Sequence, residues 1–219
     1  MKACFPVIEA HDFVARDFVG GDAVLDFVNT VTGRDQAARD WLDGYPRLLE
    51  WAGKAKLLAD EVLLVLEKTA KTDPTAATAA LHRSKQLREA LFAIVTGMIS
   101  GKAPPEGAMA LLNRYWQAGT VVHELRYVKR EVRLDMRPSA IDLDVIASLI
   151  AFRFVENLLP EPRERLRICE GSNCSWLFLD HSKAGRRRWC DMAVCGNAAK
   201  SRRFYARMRD GKGVRPKRR

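Results

Sequence analysis

Apolar and polar positions recur along most of this chain at helical spacing. The clearest case follows Asp73-Pro74, where Ala77, Leu81, Leu87, Leu91, Ile94 and Met98 fall on one stripe of a helix running toward Gly101. Arg83, Lys85, Arg88 and Glu89 mark its wetter side, and His82 lies beside the stripe as a partly exposed helix residue. Upstream, Gly20-Gly21 turns the chain and Asp22 caps a short helix through D-A-V-L-D-F-V-N-T. D-G-Y-P-R-L-L-E-W-A-G predicts a helix with Pro46 in its first turn and Gly53 as its stop, and another covers residues 59 to 70. Beyond Pro104-Pro105, Met109, Leu111, Leu112, Tyr115 and Trp116 predict a helix ending at Gly119.

The period then changes from helical to two. T-V-V-H-E-L-R-Y-V-K-R-E-V-R-L-D-M alternates apolar and polar residues, which predicts a β-hairpin turning near Lys129 to Glu131, with His123 on its surface. From Ser139 a helix apolar almost all round runs to Leu159, where Pro160 and Pro162 end it. That Pro-Glu-Pro divides a helical domain, residues 1–160, from a small C-terminal module, residues 161–219. The expected fold is mainly α, multihelical with one hairpin, plus that module.

Charge sharpens the division. The net charge is +10, and residues 161–219 hold 17 Lys and Arg against 6 Asp and Glu, so the whole excess lies in the module. Charge confined to one small unit is the footprint of an anionic partner, with nucleic acid ahead of a membrane surface. The N-terminal residues carry no signal-peptide core and no apolar run approaches the ~20 residues of a membrane span, which predicts a soluble, cytoplasmic protein.

Four of the five cysteines, Cys169, Cys174, Cys190 and Cys195, form two C-x4-C pairs around a segment that reads as a hairpin. In a reducing compartment this pattern favours a metal over disulfides, and zinc binds four thiolates tetrahedrally in place of a core that so short a segment cannot build. Residues 175–180 and 186–189 read as its two strands, and A-A-K-S-R-R-F-Y-A-R-M-R as a helix whose N-terminus carries the second pair. Knuckle, hairpin and helix are the parts of a treble-clef-like Cys4 zinc finger. Four protein ligands leave no open position for zinc catalysis, and the chain has no nucleophile motif, Walker loop or dinucleotide fingerprint. Cys4 reads as an inert N-terminal thiol.

The run F-L-D-H-S-K-A-G-R-R-R-W-C-D-M-A-V-C-G-N-A-A-K resembles the CGNR-type zinc finger. G-G-D-A-V-L-D-F-V-N-T with D-W-L-D-G-Y-P-R-L-L-E-W resembles the start of the helical ABATE domain that precedes it. The resemblance covers essentially the whole chain and implies a bacterial stress-induced transcription regulator with a zinc-bound DNA-binding module. One departure stands out: Ala198 occupies the place of the motif's arginine.

Candidate nucleic-acid contacts are Arg186, Arg187, Arg188, Lys200, Arg202, Arg203, Arg207 and Arg209, with double-stranded DNA the expected partner. Two or three of Arg186, Arg187, Arg188 and Lys200 have a competing use in offsetting the formal −2 of a zinc tetrathiolate. Phe204 and Met208 are expected to pack one side of the last helix, and Trp176, Phe178 and Trp189 to form a miniature core around the metal. The tail from Gly211 reads as an arm for phosphates or a solvated end. Asp26 and Asn29 are polar within an apolar segment; they either cap local backbone or face a ligand pocket. The helical domain is left to sense a ligand or partner, or to form a homodimer. An RNA- or protein-binding adaptor, and an enzyme with a pocket at Asp26 and Asn29, are the competing readings.

Overall fold

Side-chain caps set where two of the helices begin. The computed structural model describes residues 6–209, so Cys4 and the tail from Gly211 lie outside the described residues. Asp22 accepts the Val24 amide at 2.8 Å and starts α1 (Ala23–Val28). Three two-residue strands, β1 (Val7–Ile8), β2 (Val31–Thr32) and β3 (Arg39–Asp40), form a small sheet in the order β1-β3-β2. Next come α2 (Tyr45–Lys54), with Pro46 in its first turn, and α3 (Asp60–Thr72). Asp73 accepts the Ala76 amide at 2.8 Å to open α4 (Pro74–Ser100), which Gly101 closes in the left-handed conformation.

α5 (Ala108–Val122) runs past Gly119, which the sequence marked as a stop. The glycine serves packing instead: a Cβ there would collide with the Ser148 carbonyl and press on Phe152. The hairpin is β4 (His123–Val128) paired with β5 (Glu131–Met136), Leu125 opposite Leu134 and Tyr127 opposite Val132. Its turn residues Lys129 and Arg130 sit at φ 50° and 67°, meeting the demand of a tight hairpin turn without Asn-Gly. His123, expected at the surface, is half-buried: its Nδ1 lies 2.7 Å from the Gly119 carbonyl and its ring stacks on Phe152 at 4.2 Å.

The central helix starts later than Ser139. Asp142 accepts the Asp144 amide at 2.9 Å, a side-chain turn that displaces the helical bond, and α6 (Val145–Arg153) begins only after it. A π-type turn over Phe154–Leu158 carries the chain to Pro160. Val145, Ile146, Ala147, Ile150 and Ala151 are all fully buried, so α6 is the middle of the helical body.

One charged side chain contradicts its apparent place on the wet side of α4. Arg88 is 1% exposed. Its guanidinium donates two 2.8 Å bonds to the two Asp40 oxygens and one of 3.0 Å to Thr30 Oγ1, and its Nε meets Glu89. Lys85 adds a 2.9 Å ion pair to Asp40. Burial alone would raise the Asp40 carboxyl, but the Arg88 and Lys85 bonds outweigh it and hold the pKa at about 2.

The C-terminal module adds β6 (Leu166–Ile168), β7 (Leu177–Leu179) and α7 (Asn197–Arg209). It is docked through backbone as well as side chains. Gly33 N donates to Cys174 O at 3.0 Å, Leu179 N to Gly20 O at 2.8 Å, and Trp41 meets Trp176 edge to face at 5.6 Å. Pro-Glu-Pro therefore breaks the sequence pattern while one apolar core continues across it. The architecture is mainly helical with one hairpin and a C-terminal cysteine module, as the sequence predicts.

Candidate metal centre and the helix it carries

β6 and β7 pair antiparallel, Leu166 with Leu179 and Ile168 with Leu177, and the ladder ends where the first cysteine pair begins. Cys169 N donates to Trp176 O at 2.8 Å, so Cys169 and Cys174 stand at the two sides of a tight knuckle. Within it the chain passes so close to the cysteines that a Cβ on Gly171 would lie 2.9 Å from Cys195 Sγ and 3.3 Å from Cys169 Sγ. Only glycine leaves that room.

The partner of β7 is β6; residues 186–189, expected as a returning strand, make no ladder. That segment is held by side chains instead. Asp180, fully buried, accepts the Ser182 amide at 3.0 Å and the Arg187 amide at 2.7 Å; these bonds overcome its burial and keep its pKa at about 2. Glu170 N donates to Arg188 O at 2.9 Å. The path delivers Cys190, after which Asp191 accepts the Val194 amide at 2.8 Å and caps a wide turn, Met192–Gly196, that leads Cys195 directly into α7.

All four sulfurs lie within 4.8 Å of one another, with Cys174–Cys190 at 3.8 Å and Cys190–Cys195 at 3.9 Å. A tetrahedron with metal–sulfur bonds of ~2.3 Å has edges of ~3.8 Å, whereas a disulfide would need ~2.05 Å. The amides of Gly171 and Cys190 approach Cys169 Sγ at 3.4 Å, the N–H contacts that relieve a thiolate's charge. Cys169, Cys174 and Cys190 are buried and Cys195 is half-buried. The residues fit a structural Zn2+ ion held by Cys169, Cys174, Cys190 and Cys195, whose chemistry is to charge-balance and pin the four thiolates in a closed shell.

The basic residues divide by use. Arg187 donates to Cys190 O at 2.5 Å and lies over the Phe178 ring at 4.9 Å, and Arg188 pairs with Glu170, whose carboxyl it holds below its usual range. Arg165 and Arg167, not singled out in the sequence, clamp the Asp180, Ser182 and Gly185 carbonyls. Arg186, Lys200, Arg202, Arg203, Arg207 and Arg209 are exposed. So is almost all of α7: from Ser201 to Arg209 every residue is exposed, including Phe204, Tyr205 and Met208. Phe204 and Met208 therefore do not pack against the body as expected. Trp176 and Phe178 are buried and Trp189 half-buried beside the cysteines.

Asp26 and Asn29 look inward. The Asn29 amide group donates to Leu177 O and accepts from Leu177 N, both at 2.9 Å, binding α1 to β7. Asp26 Oδ1 accepts the Gly20 amide at 2.8 Å, yet burial pushes its pKa up to about 7, with Asp22 adding to the rise. Because the folded chain holds this proton and the unfolded chain loses it near pH 4, stability falls as pH rises from about 4 to 7 and stays reduced above. Asp26→Asn is expected to flatten that decline and to stabilise the chain at pH 8 by on the order of 2–4 kcal/mol. Urea denaturation of both proteins at pH 4.5 and pH 8 checks it; equal stability differences at the two pH values would refute it.

A closed tetrathiolate site that feeds straight into an exposed basic helix, braced on a helical body, defines a zinc-finger protein with a fused helical domain. A family model described as "Putative stress-induced transcription regulator" (ABATE) matches residues 21–160, and the CGNR zinc finger model matches residues 165–208. The chain belongs to the ABATE family. No curated protein matches it. The resemblance drawn from the two sequence runs is thereby borne out, with Ala198 inside the matched zinc finger.

Proposed function

We propose that the protein is a DNA-binding transcription regulator in which zinc fixes the root of α7 and the exposed length of the helix engages duplex phosphates. The observation that carries this reading is the helix's exposure. α7 has 13 residues, a length of about 20 Å, and only Ala199 among them is buried. A helix this short is marginal in water alone. Its origin in the Asp191-capped turn beside Cys195 supplies an anchor, and its surface carries Lys200, Arg202, Arg203 and Arg207 outward. Neutralised phosphates are what such a surface is suited to, and its width fits a major groove. The helical body is assigned to sensing or dimerisation, and among the described residues no helix is long and apolar enough to cross a membrane.

The expected result is duplex binding whose logarithmic affinity falls with log salt at a slope of roughly −5 to −7, reflecting about five to eight phosphates. Fluorescence anisotropy of the zinc-loaded full chain from 50 to 200 mM salt measures it, and a slope near zero would remove the reading. A second reading has its own observation: Tyr205, 69% exposed, and Phe204, 49% exposed, stand among the arginines as stacking surfaces suited to single-stranded RNA. Tighter binding to an unpaired RNA than to duplex DNA in the same titration would favour it.

A further inference from the structure

The β4–β5 hairpin has two faces of opposite character. Glu124, Arg126, Glu131, Arg133 and Asp135 fall on one, and Leu125, Tyr127, Val132 and Leu134 on the other. The charged face balances itself: Arg126 pairs with Asp135 at 4.0 Å, Arg133 with Glu131 at 3.0 Å, and the neighbouring Arg137 with Glu124 at 3.9 Å. Such alternation is the pattern of a ribbon that buries its apolar face. In the folded chain that face is left out: Leu125 and Tyr127 are 74% and 75% exposed, Val132 67% and Leu134 53%.

The ribbon is rooted at its base but not covered along its length. His123 stacks on Phe152 at 4.2 Å, Met136 packs against the core, and Arg137 N donates to Val122 O at 2.7 Å. Beyond that base both cross-strand pairs, Leu125 with Leu134 and Tyr127 with Val132, stand in solvent among the described residues. A two-stranded ribbon without a packed face is marginal in water. The two pairs present on the order of 500 Å2, so two facing copies bury ~1,000 Å2, the size at which a specific interface begins.

We propose that this face is a homodimer interface, in which the hairpins of two copies pack apolar face to apolar face. A partner of one charge sign finds little to hold on strands whose charges balance, whereas the patch matches itself. With a two-fold axis lying across the strands, Leu125 of one copy faces Tyr127 of the other and Leu134 faces Val132, every contact apolar. The same axis sends the basic turns, Lys129 and Arg130, to opposite ends of the pair, so like charges do not meet. This face gives the dimerisation assigned to the helical body its surface, and it rests on that part of the reading alone, since α7 takes no part in it.

The test is sedimentation equilibrium of the zinc-loaded full chain, free of nucleic acid, from about 1 to about 100 µM. Wild type is expected to reach a mass near twice the chain's 24.7 kDa and to keep it as salt rises, because the contact is apolar. Tyr127→Asp/Leu134→Asp should raise the dissociation constant by about 100-fold or more at unchanged zinc content and circular dichroism, and Leu125→Glu alone should act in the same direction. Arg133→Ala, on the opposite face, should leave it unchanged. A wild type that stays at monomer mass up to about 100 µM would overturn the proposal, as would a double variant that dimerises as tightly as wild type or an Arg133→Ala variant weakened as much as the double variant. Monomeric wild type that sediments with phosphatidylserine vesicles, and loses that binding in the double variant, would assign the face to a membrane surface instead. With no nucleic acid present, duplex binding succeeds or fails separately.

Discussion

Removing zinc is expected to disorder more than the zinc finger. Structural zinc contributes on the order of 10–16 kcal/mol to small metal-folded units, at or above the ~5–15 kcal/mol that holds a typical domain together. In this chain the metal site is not a detachable appendage. The knuckle carbonyl of Cys174 accepts the Gly33 amide, Ser175 Oγ donates to Asp35 at 2.7 Å, and the Asn29 amide spans to both backbone atoms of Leu177. Trp176, Leu177, Phe178 and Leu179 are buried against the helical body. Without the ion, four clustered sulfurs repel or must take up protons, the knuckle opens, and those contacts lose their geometry. Chelation, or Cys190→Ser, should therefore abolish α7 and β6–β7, reduce far-ultraviolet helical signal, and lower the melting temperature of the remaining body. Circular dichroism with metal analysis before and after chelator measures it. A metal-free chain that keeps the full helical signal and the same melting temperature would refute the coupling.

The second large effect lies far from the metal. Truncating Arg88 leaves the Asp40 carboxylate buried and half compensated, a change that typically costs 3–5 kcal/mol. Lys85, 2.9 Å from Asp40, remains as a partner, so Arg88→Met is expected to destabilise the chain by about 3 kcal/mol. Arg88→Lys should recover only part, since one ammonium cannot make the paired bonds that the guanidinium makes to both oxygens. The pair also sets an acid limit. A folded pKa of about 2, below the usual ~3.9, means its contribution is present in full above pH 4 and is lost as pH falls toward 2. Urea midpoints of wild type and variant should lie closer together at pH 2.5 than at pH 7. A loss under 1 kcal/mol at pH 7 would show the network to be dispensable.

Local chemistry was legible in the sequence; partners distant along the chain were not. Asp22, Asp73 and Gly101 announce their caps because the residue and its backbone partner are neighbours. The cysteine pairs announce themselves because zinc fixes spacing as well as residue type. Arg88 could have been suspected from its position, seven residues from Leu81 and three from Leu91 on the buried stripe, but Asp40 lies 48 residues away. Gly119 reads as a stop or as a close crossing according to what lies opposite, here Ser148. Asn29 and Leu177 are 148 residues apart, so the amide that docks the module had only its apolar surroundings as a signal. Phe204 and Met208 followed a packing period on a helix that the body does not cover.

On the proposed reading, the exposed α7 is a zinc-anchored recognition helix. The most direct measurement compares duplex binding by the zinc-loaded full chain with that of an Arg202→Glu/Arg203→Glu/Arg207→Glu variant carrying the same zinc content. Three lost phosphate contacts and three new repulsions should weaken binding by about 100-fold or more at 100 mM salt, and reduce the salt slope by about three. An unchanged affinity and slope would contradict the account.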